Sequence, residues 1–302
     1  MKIKKHQLLN IASTFFIFTL FTTGCGEVQK VEEIAQDEKI VTETTTLFSI
    51  DNKLFYIPNP IQSALLMKKI AVPYNKEILN PVGNVENYST SFKQAVNIGI
   101  LGADLGYITA NNQNQDAITY LGAIKKISDE LSISSAFDFS TMEKFGNNIG
   151  NQQEMLTLLT TAYKNCEEYL QKDERKDIAG LMMAGAIIEG LYFASCIVKE
   201  SANQEVINRI GEQKQSIDNI IHILNPFYSK ENSPEFSDFV DQLVDLQTDF
   251  QGVHSEYTFV KTTCDESNKI CTINSKNEII MSNNKLQSLT IKIKKIREQL
   301  IS

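Results

Sequence analysis

Two carboxylates stand in stretches where a folded chain seldom leaves a charge. Asp104 lies inside the run Asn97-Ile98-Gly99-Ile100-Leu101-Gly102-Ala103-Asp104-Leu105-Gly106-Tyr107, and Glu189 is the single charge in residues 178–198. Each is followed three residues later by a tyrosine, Tyr107 and Tyr192, so on a helix acid and phenol share one face. A carboxylate in such surroundings must be paired, hydrogen-bonded or protonated. That requirement admits two readings. Asp104 and Glu189 could accept hydrogen bonds from Tyr107, Tyr192 or loop amides and fix the packing register. Alternatively they line a site between helices, in a small-ligand or metal carrier or an enzyme. The Glu-x-x-His pattern of di-iron bundles is absent from these helices, so no metal and no cofactor is assigned.

Other catalytic patterns are missing. There is no G-x-S-x-G elbow, P-loop, H-E-x-x-H or EF-hand loop, and no G-x-G-x-x-G follows a strand. His222 falls off the apolar stripe of its helix and His254 lies in a polar stretch, so both read as solvated. No catalytic residue is assigned. Cys264 and Cys271 flank a four-residue turn between two strand-like runs, 257–263 and 270–273, where a disulfide would close a hairpin. Cys166 and Cys196 fall on consecutive helices at heights that should not meet, and read as small apolar thiols.

These residues require long helices to position them. The periodicity predicts helices over 61–71, 91–110, 114–131, 152–170, 178–199 and 204–224, with a seventh starting at Ser233-Pro234-Glu235. Asn59-Pro60 would cap the first helix, and Ser89 or Thr90 the second. In the last helix Leu286, Leu289, Ile293, Ile296 and Leu300 form one stripe, and Lys292, Lys294, Lys295 and Arg297 are expected in solvent. Residues 47–50 with 54–57, the Cys264 hairpin and 278–281 are strand-like and could pair into a small sheet. The fold class is mainly α: a bundle of seven to eight helices with a small β-hairpin region near the C-terminus. Residues 60–132 and 152–225 could be an internal repeat, since Asn114-Gln115, Ile118, Leu121-Gly122 and Lys125 align with Asn203-Gln204, Ile207, Ile210-Gly211 and Lys214. Residues 255–302 hold the hairpin and final helix. The stretch 178–198 is apolar enough to span a bilayer, but a central bundle helix is equally apolar all round.

The N-terminus supplies an address. Lys2, Lys4 and Lys5 precede an apolar stretch, residues 8–21, of signal-peptide length. It ends in Phe21-Thr22-Thr23-Gly24-Cys25, which resembles the lipobox of bacterial lipoproteins, apart from Thr22 where leucine is usual. The resemblance implies a signal peptide over 1–24, cleavage before Cys25 and covalent lipid (palmitate among its acyl chains) on that cysteine, which anchors the chain to a membrane. The whole chain carries −8, and its first 24 residues hold three lysines and no acid, so the mature chain would carry −11. Nucleic acid is not an expected partner of so acidic a protein. Residues 25–40 read as the lipidated cysteine and a polar tether, and 41–302 as one helical domain.

The run from Asn97 to Tyr107, the later Ile210-Gly211-Glu212-Gln213-Lys214, and the closing strand plus basic helix are similar to a group of helical lipoproteins from Bacteroidetes, over most of the mature chain. The resemblance implies an all-helical core and residence in the cell envelope, at the outer membrane or in the periplasm. It implies no activity, because none is established for the group. The expected role is a binding or assembly component of the envelope with a protein partner.

Overall fold

The computed structural model describes residues 46–50, 53–57, 61–136, 144, 148, 151–172, 175–200, 203–229, 233–265 and 270–302. The export segment 1–24, Cys25, the tether and the Asn59-Pro60 cap lie outside these residues. Mainly helical structure is observed. Eight α-helices are described: α1 (Ile61–Lys69), α2 (Ser91–Ala110), α3 (Asn114–Glu130), α4 (Gln152–Lys172), α5 (Lys176–Glu200), α6 (Gln204–Leu224), α7 (Pro234–Asp249) and α8 (Asn283–Ile301). Their starts follow local chemistry. Thr90 Oγ1 accepts from Lys93 N, Asn203 Oδ1 from Glu205 N and Ser282 Oγ from Lys285 N, while Pro234 opens α7, where a missing N–H costs nothing.

The strands form three separate antiparallel pairs rather than one small sheet. β1 (Thr46–Ile50) pairs with β2 (Lys53–Ile57), β3 (His254–Thr258) with β6 (Lys276–Ile280), and β4 (Thr263–Asp265) with β5 (Ile270–Thr272). The expected strand over 257–263 is therefore interrupted. Ser275 Oγ accepts from Val260 N and donates to Val260 O, and Asn274 Nδ2 donates to Lys261 O, so side chains replace ladder bonds between the two pairs.

The core is organised on α2 and α5. Val96 lies against Gly185, Gly99 against Met182 and Ala186, and the Tyr107 ring against Phe193. From Val96/Gly185 to Tyr107/Phe193 both chains advance, so the two helices run in the same direction. The contacts around them are reciprocal: α1 and α4 each touch both central helices, α3 packs along α2, and α6 packs along α5. α7 lies on α6 and α8, and α8 closes the bundle against α5 and α2. By length and composition α5 could cross a membrane, and 78% of its most apolar window is buried among its neighbours, a burial that accounts for the composition.

Glycine permits the α2/α5 contact. A Cβ on Gly99 would stand 1.8 Å from the Met182 carbonyl oxygen, and one on Gly185 2.0 Å from that of Val96. No rotamer relieves an overlap with backbone, so the helices would have to separate. Gly185→Ala is expected to destabilise the protein by about 2 kcal/mol or more. Gly122→Ala on α3, where a Cβ meets nothing within 4 Å, is expected to stabilise it by about 0.5–1 kcal/mol. Urea unfolding of both variants checks the pair, and equal midpoints would refute the account of the contact.

Candidate functional site

Asp104 and Glu189 are wholly buried, one turn beyond the glycine contact on α2 and α5. The structure brings them together and adds a residue that the sequence reading placed in solvent. Arg297 of α8 is only 5% exposed. Its Nε donates to Glu189 Oε2 and its Nη2 to Glu189 Oε1, both at 3.0 Å, and Nη2 also donates to Ile78 O at 3.0 Å. The expectation of a solvated Arg297 is thus corrected. It follows Ile293 by four residues and precedes Leu300 by three, so helical geometry puts it on the apolar stripe.

The tyrosines do not serve the carboxylates. Tyr107 Oη accepts from Asn75 N at 2.9 Å, and its ring stacks on Tyr74 at 5.4 Å between centroids. Tyr192 lends its ring instead, with the guanidinium carbon of Arg297 4.5 Å from its centroid. A loop amide does reach the site, since Asn80 N donates to Asp104 Oδ2 at 3.2 Å.

Asp104 Oδ1 receives no hydrogen bond, and the carboxyl faces Glu189. Two acceptors in contact are reconciled by one proton. Burial, then the Glu189 charge, raise the Asp104 pKa well above the usual carboxylate range, against the weaker pull of Arg297. Burial also raises Glu189, but there Arg297 and the bond from Asp104 oppose the rise. Asp104 is therefore the neutral acid that donates to an ionised Glu189. Burial would lower Arg297, and Glu189 more than reverses it. The cluster holds one anion and one cation and is neutral as a whole.

A second ring of polar groups surrounds this pair. Asn80 Nδ2 donates to Tyr88 Oη and to Asn97 Oδ1, and Tyr120 Oη donates to Asn80 O at 2.8 Å. Burial pushes the Tyr88 hydroxyl up to about 12. Asn97 and two neighbours capture the end of α8: Asn97 Nδ2 donates to Leu300 O, Asn84 Nδ2 to Ile301 O, and Lys93 Nζ to Gln299 O and Ser302 O. The last carbonyls of a helix have no partner within it, and a lysine there also meets the negative end of the helix dipole. Asn80 and Arg297 escaped the sequence reading. A polar residue at stripe spacing could have revealed Arg297, whereas Asn80 sits in a loop that shows no period.

Chemically, the network is satisfied at Glu189, while Asp104 Oδ1 accepts from no donor. Both oxygens of Glu189 are taken by the guanidinium, the position a metal or ligand would need. Among the described residues no group of three or more His, Cys, Asp or Glu side chains converges on a metal-sized space. His222 and His254 are exposed on separate elements. Cys264 and Cys271 are joined by a disulfide across the β4/β5 pair, while Cys166 and Cys196 are not bridged. No protein-family model, curated protein or solved structure matches the chain.

The protonation pattern has consequences for stability. Arg297→Met strands the Glu189 charge and is expected to cost about 3–5 kcal/mol, whereas Asp104→Asn, a neutral isostere that can still donate, is expected to cost under about 1 kcal/mol at about pH 4, where wild-type Asp104 keeps its proton in the folded state. An acid whose pKa is raised on folding binds its proton more tightly in the folded state, so its stabilisation is full below the unfolded pKa and lost as pH rises. Wild type should therefore lose stability relative to Asp104→Asn by about 1.4 kcal/mol per pH unit above about pH 4, levelling off where Asp104 ionises. Unfolding curves of the two proteins between pH 4 and 9 check the slope, and a pH-independent difference would mean that Asp104 is ionised throughout.

Proposed function

We propose that this chain is a bacterial lipoprotein, tethered to a membrane of the cell envelope by lipid on Cys25, and that its helical domain is a non-enzymatic binding or assembly component there. The observation that carries the reading is the N-terminus: a basic start, a short apolar stretch and Phe21-Thr22-Thr23-Gly24-Cys25. Small residues at 22–24 admit a peptidase, and a thiol at 25 can take a diacylglycerol. Two or more acyl chains give an attachment that one chain does not. The outer membrane is the proposed site, on its periplasmic or outward face.

The non-enzymatic part of the reading is supported by how the domain uses its polar residues. Asp104 and Glu189, the chemically loaded side chains of the central helices, are matched by Asn80 and Arg297 and hold α2, α5 and α8 together. Such a network fixes geometry. An acidic mature chain also suits a protein partner better than nucleic acid.

The test is expression in a host that processes lipoproteins, with a clickable fatty acid in the medium. The wild-type chain is expected to be labelled, to fractionate with membranes and to have a mass that starts at an acylated Cys25. Cys25→Ala is expected to lose the label and, where cleavage is blocked, to keep residues 1–24. Equal labelling of the two chains, or an unmodified Cys25 in the mature wild type, would refute the anchor. For the assembly role, crosslinking in whole envelopes should recover the same partner with wild type and Asp104→Asn, and recovery of neither would count against it.

A further inference from the structure

Residues 254–265 and 270–280 form a two-stranded ribbon that is fastened to the bundle at its base. Ile279 is 7% exposed and fits against Gly211 of α6, where a Cβ would come within 2.5 Å of its Cγ2. Asn208 Oδ1 accepts from Ile279 N at 2.8 Å, Gln204 Nε2 donates to Ile279 O at 3.1 Å, and Lys214 Nζ donates to Val253 O at 3.2 Å. Beyond this clamp the ribbon runs on through the Val260/Ser275 bonds to the Cys264–Cys271 disulfide, with its described side chains exposed or half-exposed.

The ribbon is apolar where it is most exposed. Tyr257 is 66% exposed, Phe259 74%, Val260 41%, Ile270 59% and Ile273 77%. With Ile280, six of the eleven exposed large apolar side chains among the described residues fall on these 23 described positions. Scattered exposed apolar residues need no explanation, but a concentration of them does. The disulfide holds the two strands in register without giving this surface anything to pack against.

We infer that the ribbon is a membrane-docking arm whose aromatic and aliphatic side chains enter the interface of a lipid bilayer. The inference rests on the proposed anchor at Cys25, and three observations lead to it. The first is where the chain starts. β2, at the beginning of the described domain, packs on α6, the helix that also clamps the ribbon. The twenty residues between Cys25 and Thr46 can reach at most about 70 Å, and a ribbon of this length extends about 40 Å. A tether of that reach lets lipid on Cys25 and the ribbon meet one surface.

The second observation is composition and charge. Tyr257 and Phe259 stand beside the exposed Lys261 and Lys276, the mixture of rings and long cationic stems that settles at headgroup level. Residues 254–280 hold three lysines and four acids, a net −1 in a chain that would carry −11 without residues 1–24. A segment this close to neutral is compatible with zwitterionic headgroups. The third is area. One face of a ribbon about 10 Å wide and 40 Å long offers roughly 400 Å², so two copies meeting there would bury about 800 Å², short of the 1,000 Å² or more of a specific protein interface. A lipid interface needs no matched partner.

The chain contains no tryptophan, so Phe259→Trp introduces a single reporter, and Ile118→Trp on α3 provides a control at an exposed apolar position away from the ribbon in sequence. Each is made in the lipidated full chain and in the Cys25→Ala chain, then mixed with phosphatidylcholine/phosphatidylethanolamine vesicles carrying bromine on their acyl chains. Emission from position 259 is expected to shift to the blue and fall at least twofold, with position 118 unchanged. Vesicle co-sedimentation without quenching at 259 would overturn the docking arm and leave the anchor standing. A chain that proves unacylated yet is quenched at 259 would overturn the anchor and leave the arm. A lipid-free blue shift that grows with protein concentration would overturn the arm in favour of self-association.

Discussion

Two helix backbones in contact leave no space for water between them, and the arrangement of this protein follows from that exclusion. The glycines at 99 and 185 bring α2 and α5 together over a backbone-to-backbone contact. A polar group one turn further along the same seam cannot be solvated from outside. Asp104 and Glu189 occupy that position, so the protein must provide their partners. A proton between the carboxyls removes one charge, and Arg297 neutralises the other. The cation comes from α8, so the solution to an electrostatic problem on α2 and α5 also ties the last helix to the core.

The same reasoning extends to the end of α8. A helix terminus that packs on the core, as α8 does through Leu300, must have its final carbonyls satisfied. Lys93 and Asn97 on α2, with Asn84 from the preceding loop, supply the donors. The loop residue Asn80 links the two sets, bonding Asp104 through its amide N–H and Asn97 through its side chain. A loop that approaches a core in this way cannot drift, because any displacement would leave several buried polar groups unpaired at once.

Most of the helical framework was legible before the structure was known. Period, cap residues and proline positions are local properties, and they located the helices to within a few residues of their observed ends. The burial of Asp104 and Glu189 was legible for the same reason, since a lone charge in an apolar helix signals its surroundings. Their partners were not. Tyr107 and Tyr192 are neighbours along one helix, whereas Arg297 lies 108 residues from Glu189. A guanidinium beside Lys292, Lys294 and Lys295 reads as part of a basic face until its spacing to Ile293 and Leu300 is weighed. The break in the strand over 257–263 was hidden too, because the bonds that interrupt the ladder come from Asn274 and Ser275 on the other strand.

The ribbon is mechanically dependent on this buried chemistry although it contributes little to it. β6 ends at Ile280 and α8 begins at Asn283, so few residues separate the clamped base of the ribbon from the helix that carries Arg297. At one end of that connection Ile279 is held on α6, and at the other α8 is held by an ion pair with no water to compete for it. Side-chain bonds across Val260 and Ser275, and then the disulfide, carry the register outward. The direction in which Phe259 and Ile273 are presented is therefore set from the centre of the molecule. An apolar surface of this kind would be an aggregation hazard on a loose loop; on a ribbon fixed at its root, its orientation is part of the fold.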